Sequence, residues 1–266
     1  MKLEIIEKKP CNPNGLPPIL FVHGASHGAW CWEDFYLPYF ANAGWDCYAL
    51  SISGHGKSEG RENLHKHTFC DYIEDVTKVI DGLPAKPILI AHSLGGGIAQ
   101  MVMAQSSEKI AGVVLMAGTA CPNGPSIGDI LTLFRAPVQS YWMLVGMFTN
   151  KTLSAKQVKR AAFFANRITD DQAERYKDWV QPESMAAVKD MQSGFKPPKG
   201  KVDFPLLVTG SLQEICVTPA GVRRTGIHYE VEPVFFETGC HDLMVDPNWQ
   251  ESADYIEAWL QDQFLV

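Results

Sequence analysis

The sequence predicts an α/β fold with a mostly parallel central sheet, helices on both faces, and a helical cap inserted before the last strands. Three observations carry this expectation. Short apolar runs of strand length alternate with segments of helical period. One such run, Pro87-Ile88-Leu89-Ile90, leads through a tight turn directly into the helix-like segment Gly97–Ala104. Residues 121–200 then contain no convincing strand, only helix-like pieces.

Leu3–Glu7 reads as a first strand and Ile19-Leu20-Phe21-Val22 as a short buried one. Trp32–Ala43 has helical spacing, with Phe35, Tyr39 and Phe40 on one face. Asp46–Leu50 is a further strand. Thr68–Ile80 reads as a helix: Thr68 opens it, Asp71 follows at the capping-box distance, and Tyr72, Val76, Val79 and Ile80 share a side. Val113–Met116 follows as a strand. Within the insertion, helical pieces are expected at Ile127–Phe148, Ser154–Asn166, Asp170–Val180 and Glu183–Met191. Pro205–Thr209 and Val234–Phe236 complete the strands, and Trp249–Leu260 closes the chain as an amphipathic helix. Strands separated by helices favour a parallel sheet covered on both faces. Residues 1–120 and 201–266 would then form the core. An all-helical segment 121–200 cannot lie in the sheet, so it is expected as a cap above the strand C-terminal ends. Phe134, Trp142 and Met143, from its aromatic and methionine cluster, are candidates for an apolar substrate pocket.

Composition excludes several classes. The chain has 266 residues, 46% hydrophobic and 20% charged, with a net charge of −7. No basic stripe accompanies it, so nucleic acid is not an expected partner. No run of eighteen or more apolar residues exists to span a bilayer. The first nine residues are charged every few positions and lack the apolar core of a secretory signal. Seven cysteines, without a C-x-x-C pair, read as reduced thiols. A cytoplasmic location is expected, or an organellar one after loss of a transit peptide. His65 and His67 stand at i, i+2, and neither an H-E-x-x-H nor a Cys/His quartet is present. No metal or other cofactor is therefore expected. Gly54-His55-Gly56-Lys57-Ser58 lacks P-loop spacing and reads as a tight turn.

The chemistry centres on Ala91-His92-Ser93-Leu94-Gly95-Gly96. Strand, sharp turn with a central serine, then helix presents a hydroxyl at a helix N-terminus. A serine hydroxyl needs a base to take its proton and a third group to orient that base. His241, on the loop after Val234–Phe236, is the expected base. The acid is expected after the Pro205–Thr209 strand, where Glu214 is the only carboxylate of residues 211–219. Asp242 adjoins His241 but would point elsewhere. Asp203 precedes the strand, and Asp129 is a less favoured stand-in. Oxyanion donors are expected from the N–H groups of Leu94 and of Ala25, on the loop His23–Trp30, where Gly24 permits close approach. Gly24, Ser26 and His27 are candidate pocket residues, with Ser26 and His27 read mainly as braces and His23 as structural.

In family order, His23-Gly24-Ala25, Gly54–Ser58, Ala91–Gly96 and Gly239-Cys240-His241-Asp242 resemble the motifs of α/β-hydrolase fold enzymes over almost the whole chain. Two positions depart from that pattern: Ala91 replaces a glycine, and Glu214 stands where aspartate is usual. The loop from His23 to Trp30 is similar to that of plant methylesterases and hydroxynitrile lyases. The resemblance implies, for the lyases, threonine at position 24 and lysine at 242. Gly24 and Asp242 here disfavour the lyase. The Gly54–Ser58 turn looks more like bacterial-type esterases and lysophospholipases. The expected function is hydrolysis of small to medium apolar carboxylic esters through an acyl-enzyme, with a small-molecule ester as partner. The alternatives are a non-catalytic ligand receptor, or a thioesterase, C–C hydrolase or lyase using the same residues.

Overall fold

A computed structural model describes residues 1–117, 134–192, 197 and 199–265. Seven strands form one sheet: β1 (Glu4–Lys8), β2 (Ile19–Val22), β3 (Cys47–Ser51), β4 (Ile88–His92), β5 (Gly112–Met116), β6 (Leu206–Ser211) and β7 (Val234–Phe236). Their spatial order is β1-β3-β2-β4-β5-β6-β7. Only β1 runs antiparallel to its neighbour, pairing Glu4 with Ser51 and Lys8 with Cys47. The remaining pairs are parallel.

Side chains alternate across a strand, so each central strand feeds two cores. Ile19 and Phe21 of β2, Ile88 and Ile90 of β4, and Val114 and Met116 of β5 face one side. There they meet α1 (Tyr36–Asn42) and α9 (Trp249–Phe264). Leu20, Val22, Leu89, Ala91, Val113 and Leu115 face the other side. They pack on α2 (Phe69–Gly82), α3 (Leu94–Ser106) and α8 (Pro219–Tyr229). The expected sheet with both faces covered is the observed one. The capping box of α2 also forms, with the Asp71 N–H donating to Thr68 Oγ1 and the Thr68 N–H to Asp71 Oδ2.

Among the described residues four helices lie between β5 and β6: α4 (Pro137–Phe148), α5 (Ala155–Arg160), α6 (Asp170–Tyr176) and α7 (Met185–Gln192). They rest on loops that leave the C-terminal ends of β2, β3 and β7. Trp30 meets Tyr176 and Trp179, the Gln181 amide nitrogen of the side chain donates to the Gly54 carbonyl, and the Asp242 N–H donates to the Phe163 carbonyl.

Several expected boundaries shift, each for a local reason. The segment expected as one helix from Trp32 splits into a 3-10 turn, Ala29–Trp32, and α1. Pro38 has no N–H and fits only a first helical turn, so the helix starts just before it. The helix expected over Ser154–Asn166 ends at Arg160, because Phe163 and Phe164 turn inward and Ala165 and Asn166 take positive φ. The piece expected from Asp170 stops at Tyr176. Helix α8 was not anticipated. Gly221 and Gly226 weaken its propensity, although Thr218 caps it and Pro219 opens it. The start of the Ile127–Phe148 piece lies outside the described residues.

Helix α3 can begin immediately after β4 only because it approaches β2 closely. A Cβ on Gly95 would lie 2.6 Å from the carbonyl oxygens of Val22 and His23. Gly95→Ala is expected to lower the unfolding free energy by about 1–3 kcal/mol, read by denaturant titration, since backbone rather than a flexible side chain must yield.

Candidate active site

The turn from β4 into α3 holds Ser93 at φ 50°, ψ −118°, outside the regions that L-residues favour. It is held from both sides. The Ser93 N–H donates to the Met116 carbonyl of β5 at 3.2 Å, and the Ser93 carbonyl accepts from the Gly96 N–H at 2.8 Å. Its side chain therefore stands clear of both strand and helix at the top of the sheet.

The loop after β7 brings His241 to that hydroxyl. Ser93 Oγ lies 2.8 Å from His241 Nε2, and His241 Nδ1 lies 2.7 Å from Glu214 Oε2. Glu214 occupies the loop after β6. Its other oxygen accepts from the N–H groups of Cys216 at 2.6 Å and Val217 at 3.1 Å. Those two bonds compensate the burial of the carboxylate and aim its free oxygen at the ring. Serine, histidine and acid expected from separate loops are thus joined in one hydrogen-bonded line. Burial favours the neutral form of His241, but the facing charge of Glu214 and its hydrogen bond outweigh burial and raise the pKa. A carboxylate on Nδ1 fixes the tautomer, leaving Nε2 to accept the serine proton. Asp129, the stand-in acid, lies outside the described residues.

The loop after β2 closes the site from the other side. A Cβ on Gly24 would meet Ser93 Cβ and His92 Nδ1, both at 2.8 Å. Only glycine lets the loop come so near. His23 is buried, and its Nε2 accepts from the Ile52 N–H at 3.1 Å, so its proton resides on Nδ1. That proton is donated to the Gly24 carbonyl at 2.7 Å. Burial holds His23 neutral, lowering its pKa to about 3. Because C=O and N–H of a trans peptide point in opposite directions, this bond turns the Ala25 N–H away from the His23 ring. Among the described residues the N–H groups of Ala25 and Leu94 have no protein acceptor. Leu94 opens α3, where the first N–H groups of a helix have no intrahelical partner.

The remaining candidates divide. His27 packs against the rings of Trp30, Phe163 and Phe164. It is buried, with Nδ1 2.7 Å from the Ala25 carbonyl and Nε2 2.8 Å from Asp242 Oδ2. That last contact is an ion pair by distance, without an aligned N–H. Ser26 is buried, and its hydroxyl has no protein partner among the described residues. Met143 is buried with its sulfur 3.6 Å from Cys216 Sγ, beside the acid loop, and Trp142 is half-buried against Tyr141. Phe134 is 74% exposed, and among the described residues no contact brings it to Ser93. It lies just before α4, at the edge of the described residues.

Asp242 is the residue whose part was missed. It points away from the triad line, as expected, but into a buried cluster, with Oδ1 3.6 Å from His92 Nε2 in addition to the His27 contact. His92 Nε2 also donates to the His241 carbonyl at 3.0 Å, and burial lowers its pKa to about 3. Burial opposes ionisation of both His27 and Asp242. Their mutual attraction prevails, raising His27 and lowering Asp242. The direct sequence signal was an aspartate beside the histidine in a chain with a second histidine at the early loop. Two groups of ligand-type atoms lie close enough for an ion: His92, His241 and Asp242, and Glu214, Cys216 and His241. Both require a nitrogen of His241 that already faces Ser93 or Glu214.

Comparison with known proteins gives three kinds of likeness. Residues 17–266 match the family model described as alpha/beta hydrolase fold. Pheophorbidase of Raphanus sativus is 34% identical over 125 residues, covering 46% of this chain and 47% of that protein. Methyl jasmonate esterase 1 of Vitis vinifera is 35% identical over 100 residues, covering 37% and 38%. The matches thus span less than half the length of either relative. Among solved structures, the monoacylglycerol lipase of Paleococcus ferrophilus superposes with a TM-score of 0.70 at 24% identity, covering 99% of this chain and 100% of that one. At that identity the likeness concerns the fold.

Two outcomes follow from the charges. Glu214→Gln removes the group that raises His241, so the ring's pKa should fall, read by histidine NMR titration; an unchanged or higher value would contradict the pairing. Asp242→Asn should cost about 3–5 kcal/mol of stability by leaving His27 without its counter-charge. His27 is raised from 6.5 and Asp242 lowered from 3.8, so the pair's contribution is complete between those values. The difference between wild type and variant should therefore shrink as pH rises through the His27 pKa, and as pH falls through that of Asp242.

Proposed function

This chain belongs to the alpha/beta hydrolase fold family, and on that premise we propose that it is a serine esterase. The observation that carries the reading is the unbroken line from Ser93 Oγ through His241 to Glu214, with contacts of 2.8 and 2.7 Å. In this reading His241 Nε2 takes the hydroxyl proton as Ser93 Oγ attacks an ester carbonyl. The imidazolium that forms is stabilised by Glu214. The oxyanion is received by the N–H groups of Ala25 and Leu94, which have no protein acceptor among the described residues. Collapse of the tetrahedral intermediate breaks the bond to the alcohol oxygen, which leaves with the proton held on His241. Water then gives a proton to His241 and its oxygen to the acyl carbon. Breakdown of this second intermediate returns the proton to Ser93 and releases the carboxylic acid.

The substrate class we propose is a carboxylic ester of small to medium size with an apolar acyl or alcohol part. Met143 beside the acid loop supports it, as does the name of the Vitis vinifera relative, methyl jasmonate esterase 1. The helices between β5 and β6 would act as the cap, seated on the loops that carry the triad and the oxyanion donors. A cytoplasmic setting accords with the six described cysteines, all unpaired thiols. Among the described residues no helix is long and apolar enough to cross a membrane. A ligand receptor would have no need of a hydroxyl, base and acid in register, so a catalytic reading is the one that uses every part of the site.

A fluorophosphonate should label the wild type and leave Ser93→Ala unlabelled, with ester turnover lost by about 10⁶-fold in kcat. Labelling of the alanine variant at the wild-type rate would remove Ser93 from the mechanism. Because His241 must be neutral to accept the proton and its pKa is raised, kcat/KM should fall on the acid side of a midpoint above 6.5.

A further inference from the structure

Ser26 directly follows the Ala25 peptide and adopts φ 66°, in the left-handed region that residues with a Cβ avoid. Both of its backbone polar groups are held by the segment that joins α6 to α7. The Ser26 N–H donates to Glu183 Oε2 at 3.0 Å, and the Ser26 carbonyl accepts from the Gln181 N–H at 3.1 Å. Glu183 is completely buried. Its Oε2 also lies 3.1 Å from His55 Nε2, and its Oε1 accepts from the Tyr72 hydroxyl at 3.0 Å and the Ser184 N–H at 2.7 Å. Gln181 adds a second clamp on the turn after β3: its side chain accepts from the Gly56 N–H and from Arg61, and donates to the Gly54 carbonyl.

A carboxylate wholly enclosed in protein stays ionised only where several donors converge on it. Burial would raise the pKa of Glu183, yet His55 and the two backbone N–H groups hold it below the usual carboxylate range. Its hydrogen bond to Ser26 is therefore charge-assisted, stronger than a water or an amide would provide. Glu183 itself makes no contact with Ser93 or His241. Among the described residues its direct hydrogen bond to the oxyanion loop is with the Ser26 N–H, one peptide beyond the N–H that the proposed reaction uses. It also holds His55, which packs on His23 with ring centroids 5.3 Å apart.

We infer that Glu183 is a positioning residue for the oxyanion donor: it holds Ser26 in its left-handed conformation and so aims the Ala25 peptide. The inference rests on the esterase reading and adds to it. The seating of the insertion on the core becomes part of the reaction, because one carboxylate of the insertion sets a peptide of the oxyanion loop. A chain that loses only the Glu183 contact would keep Ser93, His241 and Glu214 in line and still lose oxyanion stabilisation.

Glu183→Ala, Glu183→Gln and Tyr72→Phe test this through kcat and KM on an aryl ester, the rate of Ser93 phosphonylation, and the melting temperature. Glu183→Ala should lower kcat and the phosphonylation rate by about 10–100-fold, less than the loss of a whole oxyanion donor, with KM within about threefold. Glu183→Gln keeps an oxygen for the Ser26 N–H and should stay within about fivefold of wild type, as should Tyr72→Phe. The acid limb of the pH profile should not move in any of them, because the His241–Glu214 pair is untouched. If Glu183→Ala does not fold, Glu183→Asp decides: it keeps the charge but withdraws the carboxylate from Ser26 by one methylene, and should lower the phosphonylation rate by about tenfold. A folded Glu183→Ala or Glu183→Asp with kcat and phosphonylation within threefold of wild type would overturn the inference, as would a Glu183→Gln as slow as the alanine variant. A wild type that neither turns over esters nor is phosphonylated would instead overturn the reading beneath it.

Discussion

One strained residue organises the top of this molecule. Ser93 sits at φ 50°, ψ −118°, where a side chain is unfavourable. The cost is met because its surroundings leave no alternative. Residue 92 is still in register with Met116 of β5, and by residue 94 the chain is already helical. Gly95 packs its Cα against the end of β2, where any Cβ would strike carbonyl oxygens. The parallel sheet thus holds the start and end of the turn, and the turn has one way to close. That closure lifts the hydroxyl out of the sheet and leaves the first helix N–H groups facing the same space.

The residues next to Ser93, His241 and Ala25 do the holding. His92, before the serine, donates to the carbonyl of His241. Asp242, after the histidine, is turned the opposite way and pairs with His27 of the oxyanion loop. His23, before Gly24, fixes the peptide that ends in the Ala25 N–H. Further along, Cys240 donates its N–H to Asp246, whose carboxylate is gripped by Arg167 of the insertion. Three loops that meet only in the folded state are tied to one another by side chains adjacent in sequence to those that the proposed reaction uses. Most of these ties are buried and hydrogen-bonded, so they resist the displacement of about 1 Å that reaction geometry does not tolerate.

Much of this was legible in the sequence, and the legible part has a common cause. The alternation of apolar runs and helical segments reports burial on two faces, which local pattern encodes directly. The turn at Ser93 was readable because small residues and a following helix are required within a few positions of it. Glu214 was readable by exclusion, as the only carboxylate on its loop. The helix Pro219–Tyr229 was not, since its glycines obscure a segment that packing against β6 and α3 stabilises. The early end of the helix at Arg160 was likewise hidden: the pattern does not say that Phe163 and Phe164 are needed against His27.

By itself the chain determined its layered sheet, its serine turn and which histidine and carboxylate line up with that serine, because each depends on residue type within a short window. The tertiary structure alone decided which way Asp242 points, that His27 is a brace, that Phe134 faces solvent, and that Glu183 reaches Ser26 across 157 residues. Those outcomes depend on the direction of side chains in three dimensions and on which distant donors converge on a buried charge. Periodicity carries neither, since a carboxylate in a helical segment reads the same whether it ends in water or against the backbone of another loop.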